Sequence, residues 1–253
     1  GLPAWAPLYA RSEGNADRAL HTLVRTELEA PPGQRVVYSC LGFLLLGAML
    51  ERVFGGGLEA TSQSLILEPL RLGHAIGFRP CPEGRLLVPG AATPAAERAL
   101  LAEAGLDPDL VPVPGPGLPD DGNARFLGGV AGNAGLFGSL HGVLELAAQY
   151  LVPRSRLLAE AEISLATSNW TPGLEQSRGL GWQLAASPGC SAGPSLAPAA
   201  FGHTGFTGVS IWVDPEHGVA MGLLSHRHHP AHRSTDLHPL RRQVRRRPQP
   251  VII

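Results

Sequence analysis

The sequence predicts an α/β or α+β layered domain, helices first and strands last. Three observations carry this. Apolar residues between positions 16 and 166 recur at helical spacing. Between 179 and 224 they fall instead into short stretches bounded by Gly, Pro and Asp, the mark of strands and hairpins. No period recurs along the chain, so the elements belong to a layered domain rather than a repeat array. Residues 1–175 form the mainly helical part, and 176–253 carry the C-terminal strands and a terminal helix, all within one domain.

The elements follow in order. Asn15 is placed to cap a helix whose apolar positions are Leu20, Leu23, Val24 and Leu28, ended by Pro31-Pro32-Gly33. Leu41 to Phe54 is apolar nearly all round, which predicts a buried helix, and Gly55-Gly56-Gly57 stops it. A further helix is expected from Leu58 to Glu68, before Pro69. Residues 107–122 are Pro-, Gly- and Asp-rich and read as loop. Val143, Leu146, Ala147, Tyr150 and Leu151 share one face of a helix over 140–151, and another helix is expected from Arg154 to Ala166. "GLGWQLAA" (179–186) suits a strand. "FGHTGFTGVSIWVDPEHGVAMGLL" (201–224) reads as a two-stranded hairpin, with Val209–Val213 and Val219–Leu224 joined by the turn Asp214-Pro215-Glu216-His217-Gly218.

Composition narrows the function classes. At 253 residues the chain is long enough to bury a core without staples. A net charge of −1 argues against a polyanion binder as a whole. Cys40, Cys81 and Cys190 are scattered, which gives neither a disulfide framework nor a zinc site. The longest apolar run, Leu41 to Leu50, is too short to cross a bilayer. Every basic residue is Arg, so chemistry that needs a lysine amine has no donor within these residues.

Four patterns raise chemical questions. Tyr38-Ser39-Cys40 sits just before the apolar helix, where a tyrosine is more often a half-buried aromatic than a catalytic acid. "GCSAG" (189–193) matches the nucleophile-elbow pattern. That elbow needs strand, turn and helix with an acid before the histidine, whereas here no Asp or Glu separates Ser191 from His203. "HRHHPAH" (226–232) offers His226, His228, His229 and His232 to a metal, but Pro230 interrupts the helical spacing and no carboxylate or thiol joins them. An exposed loop is favoured, and no metal or other cofactor is expected. "RRQVRRRP" (241–248) reads as a solvated basic face rather than a nucleic-acid site. The glycines at 202, 205 and 208 weaken a strand unless a bulge or a close approach is wanted there.

Several segments in one order resemble the β-lactamase-related serine hydrolases, which include class C β-lactamases, D-alanyl-D-alanine peptidases and esterases. "GLPAW" (1–5) resembles the end of that family's "HTSGLP" loop, and "PPGQRVVYSCLGFLLLGAMLERVFG" (31–55) its Y-S-N segment. "LGGVAGNAGLFGS" (127–139) is similar to its "AGHAGLFST" stretch. "FGHTGFTGVSIWVDP" (201–215) is similar to the strand with the Lys-Thr-Gly or His-Thr-Gly motif, and "LLSHRHHP" (223–230) to the segment that follows it. The resemblance implies an antiparallel sheet flanked by helices with a mainly helical subdomain.

It also implies acyl transfer through a serine ester on an amide, ester or β-lactam bond, with a small-molecule or peptide acyl substrate. Tyr38 then shares in proton transfer and His203 is the third-motif cation. Thr204 and Gly205 complete that motif, and the Phe206 N–H contributes to the oxyanion hole. The glycines would let substrate lie along the strand backbone. Cys40 stands where the family has Asn, and a thiol cannot supply both a donor and an acceptor as an amide does. The Ser-x-x-Lys motif lies, in the family, upstream of the loop that "GLPAW" resembles. The chain is therefore expected to be a C-terminal portion lacking the first strands and the nucleophile helix, and silent alone. The alternative is a non-catalytic homologue that binds peptide or peptidoglycan.

Overall fold

The computed structural model describes residues 1–78, 87–88, 94–227 and 236–244. These fall into two compact units, Gly1–Gly138 and the residues from Ser139 onward.

In the first unit, the short helix α1 (Leu8–Arg11) is followed by a 3-10 turn, Ala16–Arg18, and α2 (Ala19–Val24). Asn15 caps the turn by accepting the Asp17 N–H. The helix stops at Val24 instead of reaching Leu28, because the chain leaves it to meet the N-terminal residues: Glu29 N donates to Gly1 O at 2.9 Å. A tertiary bond outweighs local helical preference here.

Helix α3 (Cys40–Phe54) begins where Ser39 accepts the Gly42 N–H and ends at Gly55, whose φ of 69° suits a residue without Cβ. The predicted all-round burial does not hold. Leu41, Leu44 and Gly47 face inward, and the two leucines join Ala6, Leu8, Leu23, Ala124 and Ala131 in a core. Leu46, Met49, Leu50, Val53 and Phe54 remain exposed among the described residues. Helical geometry gives one stripe to one neighbouring core.

The next helical stretch runs α4 (Leu58–Ser62), a π turn (Gln63–Leu67) and α5 (Glu68–Leu70), and so passes through Pro69. Pro69 has no N–H for the ladder, and the wider turn before it accommodates that gap. A two-residue strand, β1 (Ile76–Gly77), pairs antiparallel with β2 (Phe137–Gly138). Between them lie α6 (Ala95–Glu103), the loop with a 3-10 turn at Pro108–Leu110, and α7 (Gly122–Phe126).

The second unit opens with α8 (Leu140–Ala147), capped by Ser139, and continues into a 3-10 turn over Ala148–Tyr150. The helix expected from Arg154 starts later, as α9 (Glu160–Thr167). Side chains hold the preceding turn open: Gln149 accepts the Arg156 N–H and Ser155 accepts that of Leu158.

The sheet has the antiparallel order β3 (Gln183–Leu184), β4 (Phe201–Thr204), β5 (Ser210–Asp214), β6 (Val219–Leu223). The strand predicted over 179–186 shrinks to two residues, because Gly179 N turns back to Trp182 O. The β5–β6 hairpin forms as predicted, with Asp214 opposite Val219. Residues 201–213, however, are two strands, not one. The chain reverses at Gly205–Val209, so His203 faces Ile211 across a β4–β5 pair. Phe201, Val213, Leu184, Ala147 and Leu151 form the core of this unit, with Tyr150 and Trp182 edge-on to Phe201. Helix α10 (His238–Val244) is the expected terminal helix.

Candidate active site

Three of the motif segments meet at the N-terminus of α3. Ser39 Oγ donates to Pro3 O at 2.6 Å, and Cys40 N donates to Ala4 O at 2.9 Å, which ties the opening loop to Tyr38-Ser39-Cys40. Gly132 lies against the Phe43 carbonyl and the Gly47 backbone, so close that a Cβ at 132 would collide with them. The side chain of Asn133, beside it, favours the ionised form of the Cys40 thiol. Tyr38 is half exposed, in the extended stretch before the Ser39 cap.

Burial raises the Cys40 thiol pKa, the nearby Asp121 and Glu97 charges push the same way, and the Asn133 side chain opposes them. The thiol therefore stays protonated at neutral pH and is a weak nucleophile.

A buried asparagine that carried no sequence signal braces this corner. Asn123, fully buried, accepts the Leu8 N–H and donates to Ala6 O. Beneath it Glu97 accepts from Gly122 N at 2.8 Å and from the Tyr9 hydroxyl at 3.4 Å. Arg125 Nη2 lies 3.7 Å from the same carboxylate, while Arg125 also donates to Pro112 O and Pro119 O. Burial raises the Glu97 carboxyl pKa, and these bonds hold the increase in check.

The second unit carries the other candidates. His203 and Thr204 end β4, while Gly205 and Phe206 lie in the turn that follows. Gly205 N donates to Val209 O at 2.9 Å and Gly208 N to Gly205 O at 3.1 Å. Segment 225–227 braces the turn: Arg227 N donates to Thr207 O and Ser225 Oγ to Gly208 O. Phe206 is exposed, with the Arg227 guanidinium 5.0 Å from its ring centroid. Gly202 has a packing reason of its own, since the Trp212 ring and the Ile211 carbonyl fill the place of a Cβ.

His203 lies 2.9 Å from the Thr204 carbonyl through Nδ1 and 3.2 Å from Arg178 Nη1 through Nε2. Burial lowers its pKa below the ordinary histidine value; the Arg178 charge adds to this, and the Thr204 bond opposes it. The environment thus favours a neutral imidazole where the resemblance leads one to expect a cation. Arg178 itself escaped sequence reading, since no motif or periodicity marks it.

The structure places Tyr38 with Cys40 in one unit, and His203 with Thr204, Gly205 and Phe206 in the other. Ser191 is buried within a turn, without the strand and helix an elbow requires. Of the histidine cluster, His226 is described, while His228, His229 and His232 lie outside the described residues, as do Cys81 and the basic tail beyond Val244. Among the described residues, no group of three or more His, Cys, Asp or Glu side chains could hold a metal ion. No single helix among them is long and apolar enough to cross a membrane.

The chain is similar to known proteins along most of its length. It is 28% identical over 229 residues, 88% of its own length, to an Escherichia coli O157:H7 protein provisionally named a D-alanyl-D-alanine carboxypeptidase. It is 28% identical over 222 residues, 84% of its length, to the N-acetylmuramyl-L-alanine amidase of Bacillus subtilis strain 168. It spans about half the length of these curated relatives, 51% and 49%. Among solved structures, a penicillin-binding protein homolog from Caulobacter crescentus superposes with a TM-score of 0.60 at 20% identity, over 90% of this chain and 62% of that one. The beta-lactamase family profile matches residues 1–246. By that match, which runs nearly end to end, the chain belongs to the beta-lactamase family of serine hydrolases.

Proposed function

We propose that residues 1–253 supply the tyrosine and third-motif sides of a serine acyl-hydrolase site, and that the serine and lysine come from a segment outside these residues. The observation that carries the reading is the convergence of 1–4, 38–40 and 132–133 on the first turns of α3, with Tyr38 half exposed beside it. The serine oxygen would attack the substrate carbonyl while its proton passes to the lysine and the Tyr38 phenol. The tetrahedral oxyanion would accept the Phe206 N–H and the N–H of the serine itself. Collapse expels the leaving group, which takes up the proton, and water then hydrolyses the acyl-serine ester.

The names of both relatives, a carboxypeptidase and an amidase, favour a peptide acyl substrate over an ester. The 253 residues contain no lysine, so the chain by itself is silent. The test is acylation by a fluorescent penicillin, and turnover of an activated ester, with the chain alone and with the chain extended by a Ser-x-x-Lys segment. Activity in the extended form alone supports the reading. Turnover by the 253 residues alone overturns it.

Cys40 favours one second reading, a homologue that binds peptides without acylating them. Its half-buried, protonated thiol replaces the amide that would anchor a substrate. Saturable binding of a D-alanyl peptide, with no acyl-enzyme in the extended form, would select this reading.

A further inference from the structure

Both ring nitrogens of His203 meet partners whose chemistry fixes its protonation. The Thr204 carbonyl can only accept, and it lies 2.9 Å from Nδ1, so Nδ1 carries the hydrogen. A guanidinium can only donate, and Arg178 Nη1 lies 3.2 Å from Nε2, so Nε2 offers its lone pair. An imidazolium would set a second donor and a second positive charge against Arg178.

Arg178 is itself held in place. Its Nε and Nη2 both donate to Gln176 Oε1, at 3.2 and 2.6 Å. Its backbone N–H donates to Thr171 Oγ1 at 2.9 Å, and residue 178 bridges to Gln183 at the start of β3. The guanidinium therefore reaches the end of β4 from a braced loop rather than from a free surface chain.

We propose that Arg178, not His203, is the positive charge at the His203 ring, and that a neutral His203 with its proton on Nδ1 is the acceptor that positions this guanidinium. The proposal rests on reading 203–205 as the third motif of the hydrolase site. Two of the groups that meet the ring are consistent with it, Arg178 from the loop before β3 and the Thr204 carbonyl from its own strand, and the register partner of His203 on β5 is the uncharged Ile211. Burial and Arg178 both push the imidazole toward its neutral form. The functional consequence concerns pH. A guanidinium stays charged throughout the physiological range, whereas a histidine cation is lost near neutrality. Attraction for negative charge at this strand end therefore does not titrate away around pH 7.

The experiment is nitrogen NMR of the 15N-labelled 253-residue chain across pH, with the His203 signals assigned by their loss in His203→Gln. The expected spectrum shows the Nδ1–H tautomer at neutral pH. In Arg178→Gln the His203 midpoint moves up, whereas Arg178→Lys, which keeps the charge, leaves it low. An Nε2–H tautomer or an imidazolium at neutral pH in the wild type overturns the proposal, as does an unmoved midpoint in Arg178→Gln. The wild-type tautomer decides by itself if a variant fails to fold. These spectra do not depend on acylation, so failure of the hydrolase reading and failure of this one are distinguishable.

Discussion

Asn123 Oδ1 accepts the backbone N–H of Leu8 at 2.8 Å across 115 positions of sequence, and its Nδ2 donates to the carbonyl of Ala6 at 2.9 Å. All three residues are buried. One amide thereby fixes the opening loop, which in turn reaches Ser39 and Cys40 through Pro3 and Ala4. Asn123→Ala strands buried polar atoms whose desolvation is not repaid, at a cost of about 1–3 kcal/mol. Urea unfolding should show a lowered midpoint with an unchanged slope. A loss no larger than that of an exposed Asn→Ala control would remove Asn123 from the framework of this corner.

Asp214 and His217 make the β5–β6 turn pH-sensitive. Asp214 is buried, which pushes its carboxyl up. The N–H of Ala197, the His217 ring at 2.8 Å and the His217 backbone outweigh that and lower it below 3.8. The exposed His217 ring is raised above 6.5, first by its hydrogen bond to Asp214 and then by the charge. The carboxylate's contribution is present above 3.8 and is lost as pH falls through the lowered folded value. The histidine's is full below 6.5 and is lost as pH rises through the raised one. The stability gap between wild type and His217→Gln should therefore be widest between 3.8 and 6.5 and narrow on either side. A gap that stays flat from about pH 4 to about pH 9 would mean the ion pair contributes nothing.

Local signals in the sequence marked the element ends well and the partners poorly. Ser39 and Gly55 bound α3 because a cap and a left-handed stop act within one turn of chain. The turn after Asp214 was legible for the same reason. The reversal at Gly205–Val209 was not, since alternation looks alike in one strand or two and only pairing separates them. Exposure of Leu46, Met49 and Val53 was hidden because composition records that a helix is apolar, not how many neighbours it has. At the candidate site, the motifs pointed to Tyr38 and His203, but Asn123 and Arg178 act across long separations and leave no local trace.

Gly202 stands opposite Trp212 in the β4–β5 register, and the indole occupies the space a Cβ would need. Trp212 is fully buried, so it has nowhere to retreat. Gly202→Ala should behave as an overpacked core and cost about 1–3 kcal/mol. Thermal unfolding should show a drop in Tm, and Gly57→Ala, where nothing lies within 4 Å, serves as the control. Equal effects at 202 and 57 would mean the ring shifts freely, and that Gly202 reflects a need other than packing.

The chemistry of Cys40 is set by what surrounds it. Burial, then the Asp121 charge, raises its pKa above 9.0, so at neutral pH little thiolate is present to react. In Cys81→Ser/Cys190→Ser, which isolates Cys40, labelling by a thiol-specific disulfide reagent should be slow at neutral pH and accelerate as pH rises past 9. The Asn133 side chain opposes the shift. Asn133→Ala on that background should therefore slow labelling further at a given pH, even though it removes side-chain bulk and opens access. Those two effects have opposite signs, which makes the rate informative. Faster labelling in Asn133→Ala would show that access, rather than thiolate fraction, controls the thiol. In that case Asn133 shields Cys40 rather than tuning it.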